Sequence, residues 1–150
     1  IVAYMAEALQ LEPGDVVLEV GTGSGYAAAV LSMIAGRVYT IERVPELAET
    51  AHERLQALGY RHVEVKCGDG TLGWPEHAPF QAIACAASGP SVPQSLLDQL
   101  DIGGRLVMPI ERSRGQTLVR VTRHSHDGFT TADLGGVRFV PLIGEEGWTQ

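Results

Sequence analysis

VLEVGTGSGY, residues Val17 to Tyr26, sets three glycines within five residues directly behind a run of apolar ones. The apolar run is short and rich in valine, as a buried β-strand is. Glycines at such a place let the chain turn sharply and approach a ligand closely, because no Cβ stands in the way. The alanine-rich stretch that follows, SGYAAAVLSMIAG, is apolar at helical spacing and predicts a helix from Ser24 that stops at Gly36.

The flanking sequence repeats this alternation. IVAYMAEALQL predicts a helix ending before Pro13-Gly14, and DVVLEV a buried strand. RVYTIE predicts a second strand. VPELAETAHERLQALGY predicts a helix with Pro45 and Glu46 in its first turn, Arg54 late and Gly59 at its end, as the helix dipole favours. HVEVKC and FQAIACAA are further strands, separated by the loop GDGTLGWPEHAP. VPQSLLDQL is a short helix and GGRLVMPI a fifth strand. From there the period changes to two: QTLVRVTR and FTTADL alternate apolar with polar across the turn HSHDG, and VRFVPL is expected to close the sheet. The order β-α-β-α-β-β-α-β followed by strands alone predicts an α/β, doubly wound, Rossmann-like sheet, mostly parallel with antiparallel C-terminal edge strands. One domain over residues 1–150 is expected, since no repeat, low-complexity segment or linker interrupts the pattern.

In an open sheet of this kind, ligands sit beyond the carboxyl ends of the strands where strand order reverses. The turn after the first strand lies there, and the helix behind it offers free N–H groups. A dinucleotide loop is G-x-G-x-x-G, but here the third glycine comes one residue early. A mononucleotide loop needs a Lys-Ser/Thr pair that is absent. EVGTGSG, Glu19 to Gly25, matches the S-adenosylmethionine loop [ED]-x-G-x-G-x-G at every position. Two further features support a nucleoside. Glu42 ends the second strand at the distance where an acidic residue accepts from ribose hydroxyls. Asp69 ends the third strand, placed to accept from an adenine amino group, with Gly70 leaving room for the ring. Taken alone, Asp69 reads equally as a turn residue capping the next segment.

Other groups carry less. The chain has 150 residues and a net charge of −7, with no Lys/Arg cluster, so a nucleic-acid partner is not expected. No apolar stretch approaches the length of a membrane span and no basic leader precedes one, so a cytoplasmic location without membrane contact is expected, and a monomer. Cys67 and Cys85 fit neither a metal pair nor a redox motif and read as two buried thiols. His124 and His126 read as a solvated turn, and no metal site is expected. Trp74 and Trp148 read as packing residues. Ser88, in the loop CAASGPSVP, reads as a solvent-facing turn serine.

VLEVGTGSGYAAAVL, VYTIERVPELAETA, GDGTLGWPEHAPFQAI, VPQSLLDQLDIGGRLVMPI and VRFVPLIGEEGW together resemble the protein-L-isoaspartate O-methyltransferases, from Ile1 to about Trp148. The resemblance implies S-adenosyl-L-methionine as cofactor and S-adenosyl-L-homocysteine as its product. It places Gly21, Gly23 and Ser24 against the amino-acid part, Glu42 and Arg43 at the ribose, and Asp69 with Gly70 at the adenine. It implies methyl transfer to the carboxylate of L-isoaspartyl residues in damaged proteins or peptides. Members carry a Thr-Ile-Ser loop just before the segment matching IVAYM, and its Ser is taken as catalytic. That loop would lie upstream of Ile1, so an N-terminally truncated domain is expected, with no catalytic side chain named within it and little activity of its own. Two alternatives stay open: methyl transfer to another small-molecule or peptide substrate, and a non-catalytic cofactor-binding module.

Overall fold

The computed structural model describes residues 1–150. In chain order it contains α1 (Val2–Leu9), β1 (Val16–Val20), α2 (Tyr26–Ser32), β2 (Arg37–Glu42), α3 (Pro45–Ala57) and β3 (Val63–Cys67). These are followed by β4 (Phe80–Cys85), α4 (Gln94–Gln99), β5 (Leu100–Arg112), β6 (Gly115–Arg123) and β7 (Phe129–Val137). Two short 3-10 turns, Gly70–Leu72 and Pro75–His77, lie in the loop between β3 and β4.

One seven-stranded sheet runs in the order β3-β2-β1-β4-β5-β6-β7. The first five strands in that row are parallel, and β6 and β7 are antiparallel to their neighbours. Successive side chains of a strand point to opposite faces. Val17 accordingly packs with Leu9, Leu31, Val38 and Leu55 on one face, and Leu18 with Phe80, Ile83, Leu96 and Leu106 on the other. Both faces are covered, which is why the parallel strands read as continuous apolar runs. Truncating one of these leucines to Ala costs about 2–5 kcal/mol in a core of this kind.

The sheet order reverses between β1 and β4, so the carboxyl ends of these two strands diverge into the glycine turn and the loop after β4. The C-terminus of α1 is anchored at the opposite edge, level with the amino ends of these strands, where Arg105 stands in register with Ala82. Arg105 donates from Nε to the Leu9 carbonyl at 2.6 Å and from Nη2 to the Gln10 carbonyl at 2.9 Å. A cation on the last carbonyls of a helix satisfies acceptors that the helix itself leaves open.

The fold class and the order of elements agree with the sequence reading, and four local expectations do not. The helix after the glycine turn is shorter than expected: Gly25 is its N-cap at φ 87°, and it ends at Ser32, so Ser24 lies ahead of it. VRFVPL does not close the sheet. β7 runs on to Val137 and is the edge strand, while residues 138–142 leave the ladder and cross back to Ser88. β6 begins at Gly115 and its Gln116 already pairs with Val137, so the ladder has no partner left for the residues that follow. Ser88 is not a solvent-facing turn residue but 1% exposed beneath that crossing segment. Of the two cysteines only Cys85 is buried, and Cys67 is exposed. No helix is long and apolar enough to cross a membrane.

Candidate cofactor site

A cleft of about 450 Å³ opens at the reversal point. Clefts of 300–1,000 Å³ are the usual size for a small-molecule ligand. Gly21, Gly23, Glu42, Arg43 and Gly70 line it, and an apolar wall of Val140 to Ile143 faces them. A second hollow adjoins it, sharing Arg43 and Ile143 and reaching Gly68 and Asp69. Six of the seven residues expected to bind cofactor therefore line these two adjoining hollows. Ser24 is the exception: it is exposed, its Oγ accepts from Tyr26 N at 3.3 Å, and its carbonyl accepts from Arg54 at 2.6 Å.

The glycine turn and the end of β2 are one hydrogen-bonded unit. Gly23 N donates to Glu42 Oε2 at 2.9 Å, and Val44 N donates to Glu42 Oε1 at 3.0 Å. A carboxylate offers about four acceptor positions, so Glu42 keeps two for a ligand. Gly23 sits at φ 54°, a region that favours glycine, and a Cβ there would project into open space. Gly70 is needed for a different reason, since a Cβ on it would collide with Val20 Cγ1. The open side above Gly23 and the free acceptors of Glu42 fit a polar nucleoside cofactor lying along the turn.

Beneath the turn lies a buried polar chain. Thr40 Oγ1 donates to Glu19 Oε2 at 2.6 Å and lies 2.6 Å from Thr22 Oγ1. Thr40 has one hydroxyl proton and gives it to Glu19, so Thr22 donates to Thr40. Burial raises the Glu19 carboxyl from its ordinary 4.5 to about 8, with the charge of Glu42 adding to the rise and the Thr40 bond opposing it. Burial likewise pushes the Cys85 thiol up to about 12, so it is no nucleophile.

Asp69 is more heavily engaged than the sequence suggested. Its Oδ1 accepts from Thr71 N at 2.9 Å and from Thr71 Oγ1 at 2.7 Å, while Oδ2 accepts from Glu145 N at 2.8 Å. It caps the first 3-10 turn and holds the C-terminal segment at once. Ser88 anchors the start of that segment: its N donates to the Val140 carbonyl and its carbonyl accepts from Leu142 N, each at 2.8 Å, and also from Trp148 Nε1 at 2.9 Å. The Ser88 hydroxyl itself has no partner. The wall Val140–Ile143 was missed in the sequence, where VRFVPL reads as a strand closing the sheet, and no local signal shows that its partner strand ends at Gly115. No group of three or more His, Cys, Asp or Glu is placed to hold a metal. Trp74 packs against Tyr39 and His77 in an aromatic cluster below the loop.

The strand order, the glycine turn and an acidic residue closing β2 define a Rossmann-like methyltransferase. The chain belongs to the protein-L-isoaspartate(D-aspartate) O-methyltransferase family, whose model matches residues 1–147. It is 60% identical over 149 residues to Protein-L-isoaspartate O-methyltransferase 2 of Pelobacter propionicus, covering 99% of this chain and 66% of that protein. It is 56% identical to Protein-L-isoaspartate O-methyltransferase 1 of Geotalea uraniireducens, with 99% and 68% covered. A solved protein-L-isoaspartate O-methyltransferase superposes with a TM-score of 0.91 at 32% identity, over 97% of this chain and 47% of that one. A Plasmodium falciparum structure assigned to the same activity, in complex with S-adenosyl-L-homocysteine, superposes with a TM-score of 0.77 at 25% identity, with 95% and 71% covered. The chain thus spans about two thirds of the length of these curated relatives and less than half of the first solved one.

Proposed function

We propose that residues 1–150 form one domain that holds S-adenosyl-L-methionine in the groove between the glycine turn and the Val140–Ile143 wall. In this proposal the gene product that carries the domain methylates the carboxylate of L-isoaspartyl residues in damaged proteins or peptides. The observation that carries the proposal is the join between Gly23 and Glu42 at the head of the cleft, in a chain whose family match runs from residue 1 to 147.

When bound, the cofactor supplies a methyl group that a carboxylate oxygen takes, the C–S electron pair staying on sulfur as a neutral thioether. The acceptor carboxylate is already ionised near pH 7, because its ordinary pKa is near 4. No general base is required, which agrees with a groove that presents no nucleophile–base pair. The chain's own work is to place and to shield. Glu42 accepts from the nucleoside hydroxyls while its other lone pairs hold Gly23 and Val44. Gly70 lets the chain close onto Val20 at the lining of the cleft, where a Cβ would not fit. Ala86, Ala87, Val140 and Leu142 form a wall without polar side chains that keeps water from the reacting atoms.

The test is methylation by the full gene product of two peptides that differ only in an isoaspartyl or a normal aspartyl linkage, with the cofactor labelled in its methyl group. Base-labile label on the isoaspartyl peptide alone is expected. Equal labelling of both, or of neither, would overturn the substrate reading. Calorimetry with S-adenosyl-L-homocysteine then tells a cofactor domain of other substrate from a chain that binds no such cofactor.

A further inference from the structure

The wall of the cofactor groove is a strap, Val140 to Trp148, and one side chain of its far half, Glu146, ties it to α4. The near half is held by the Ser88 backbone, and the turn at Glu145 by Asp69. Trp148 Nε1 returns to the Ser88 carbonyl, and the tie to α4 is Glu146. Its Oε1 accepts from Ser95 Oγ at 2.6 Å and its Oε2 from Ser95 N at 2.9 Å, at the start of α4. Its own N donates to Thr71 Oγ1 at 3.1 Å. Thr71 in turn gives its one hydroxyl proton to Asp69. A continuous line of hydrogen bonds therefore runs from α4 through Glu146 and Thr71 to Asp69, on the rim of the hollow beside the cleft.

We propose that Glu146 is a positioning residue for cofactor binding, acting through the strap and not by touching the cofactor. The proposal rests on the cofactor reading above. Glu146 lines neither hollow, whereas Ile143 lines both, and Gly144 and Trp148 line the second. Its two bonds to Ser95 are charge-assisted and share one partner residue, which fixes the angle of the strap as well as its distance. The strap has no margin to slide. A Cβ on Gly144 would meet Asp69 Oδ1, and a Cβ on Gly147 would meet the Leu142 carbonyl. Leu142 and Glu145 would still hold the strap to Ser88 and Asp69, but losing Glu146 would remove its tie to α4 and loosen Ile143 and Gly144 against the groove, so the cofactor would have to order them on binding.

Three variants of the full gene product test this: Glu146→Ala, Glu146→Gln and the double variant Ser95→Ala with Glu146→Ala. Glutamine keeps the shape, with its oxygen accepting from Ser95 N and its amide donating to Ser95 Oγ. Expected for Glu146→Ala is a rise of about tenfold in the S-adenosyl-L-homocysteine Kd and in the cofactor KM, with kcat nearly unchanged; tenfold corresponds to about 1.4 kcal/mol. Glu146→Gln should recover most of it, and Ser95→Ala combined with Glu146→Ala should be no worse than Glu146→Ala alone. Unaltered Kd in a folded Glu146→Ala protein, or no recovery by Gln, would overturn the proposal. Amide hydrogen exchange separates this from a failed cofactor reading. If wild type binds no S-adenosyl-L-homocysteine, the cofactor reading fails. The strap role then stands on faster exchange at Gly144 and Trp148 in Glu146→Ala, and falls if exchange there is unchanged.

Discussion

Glu42 Oε2 accepts from Gly23 N at 2.9 Å, so the end of β2 and the turn after β1 are locked together across 19 residues of chain. The bond fixes the glycine turn and aims the carboxylate along the cleft. Because Glu42 is buried, each bond it makes is worth more than a surface bond would be.

Replacing Glu42 by Ala removes the acceptors proposed for the nucleoside and frees the Gly23 amide. Calorimetry should show S-adenosyl-L-homocysteine binding weakened by about 1–3 kcal/mol, the cost of leaving hydroxyl partners unpaired. A folded Glu42→Ala protein that binds as wild type does would remove Glu42 from the nucleoside site.

Glu19 gives a pH signature. Its folded carboxyl titrates near 8 against an ordinary 4.5, chiefly through burial, so the folded state holds a proton that the unfolded state has lost. For a raised pKa the contribution to stability is fully present below 4.5 and is lost as pH rises towards about 8. Glu19→Gln keeps the shape without the titration. Urea unfolding from pH 5 to pH 8 should therefore show the variant gaining on wild type by a few kcal/mol at most, of the order that 1.36 kcal/mol per pKa unit allows. A constant difference across that range would mean that Glu19 is ionised in the folded protein.

The parts of this site that were legible in the sequence are those made by one strand and its own turn. Gly21, Gly23, Glu42 and Gly70 each stand at a strand end, where local pattern fixes position. The parts that were not legible depend on chain that returns from far away. Ser88 is covered by Val140 to Leu142, which are about fifty residues distant, and no local signal reports what will lie on a loop. Glu146 meets Ser95 across 51 residues of sequence. Asp69 was correctly placed at the end of β3, but the donors that fill its lone pairs come from Thr71, two residues on, and from Glu145, 76 residues away. VRFVPL reads locally as a closing strand, and the start of β6 at Gly115, which leaves nothing to pair beyond Val137, decided against it.

Asp69 should show the opposite pH behaviour to Glu19. Burial raises its pKa, but hydrogen bonds from Glu145 N and from the Thr71 side chain and backbone together outweigh that and leave it below its ordinary 3.8. A lowered pKa contributes stability above 3.8 that is lost as pH falls through the folded value. Asp69→Asn has one acceptor oxygen for three donors. It should be less stable than wild type at pH 7, with the gap closing in acid. A gap that persists once the folded carboxyl is protonated would point to lost shape instead of lost charge.

Ser88 carries a buried hydroxyl with no partner, while its backbone N and carbonyl hold the strap. An unpaired buried hydroxyl costs free energy, on the order of 1–3 kcal/mol in proteins. Ser88→Ala removes that hydroxyl, keeps every backbone bond and leaves no large cavity. The variant should unfold at a higher urea concentration than wild type, with a gain of about 1 kcal/mol at unchanged m-value, and S-adenosyl-L-homocysteine affinity should hold. A loss of stability would show that the hydroxyl has a partner in solution. A loss of affinity alone would show that it acts on a ligand across the Ala86–Ala87 wall of the cleft.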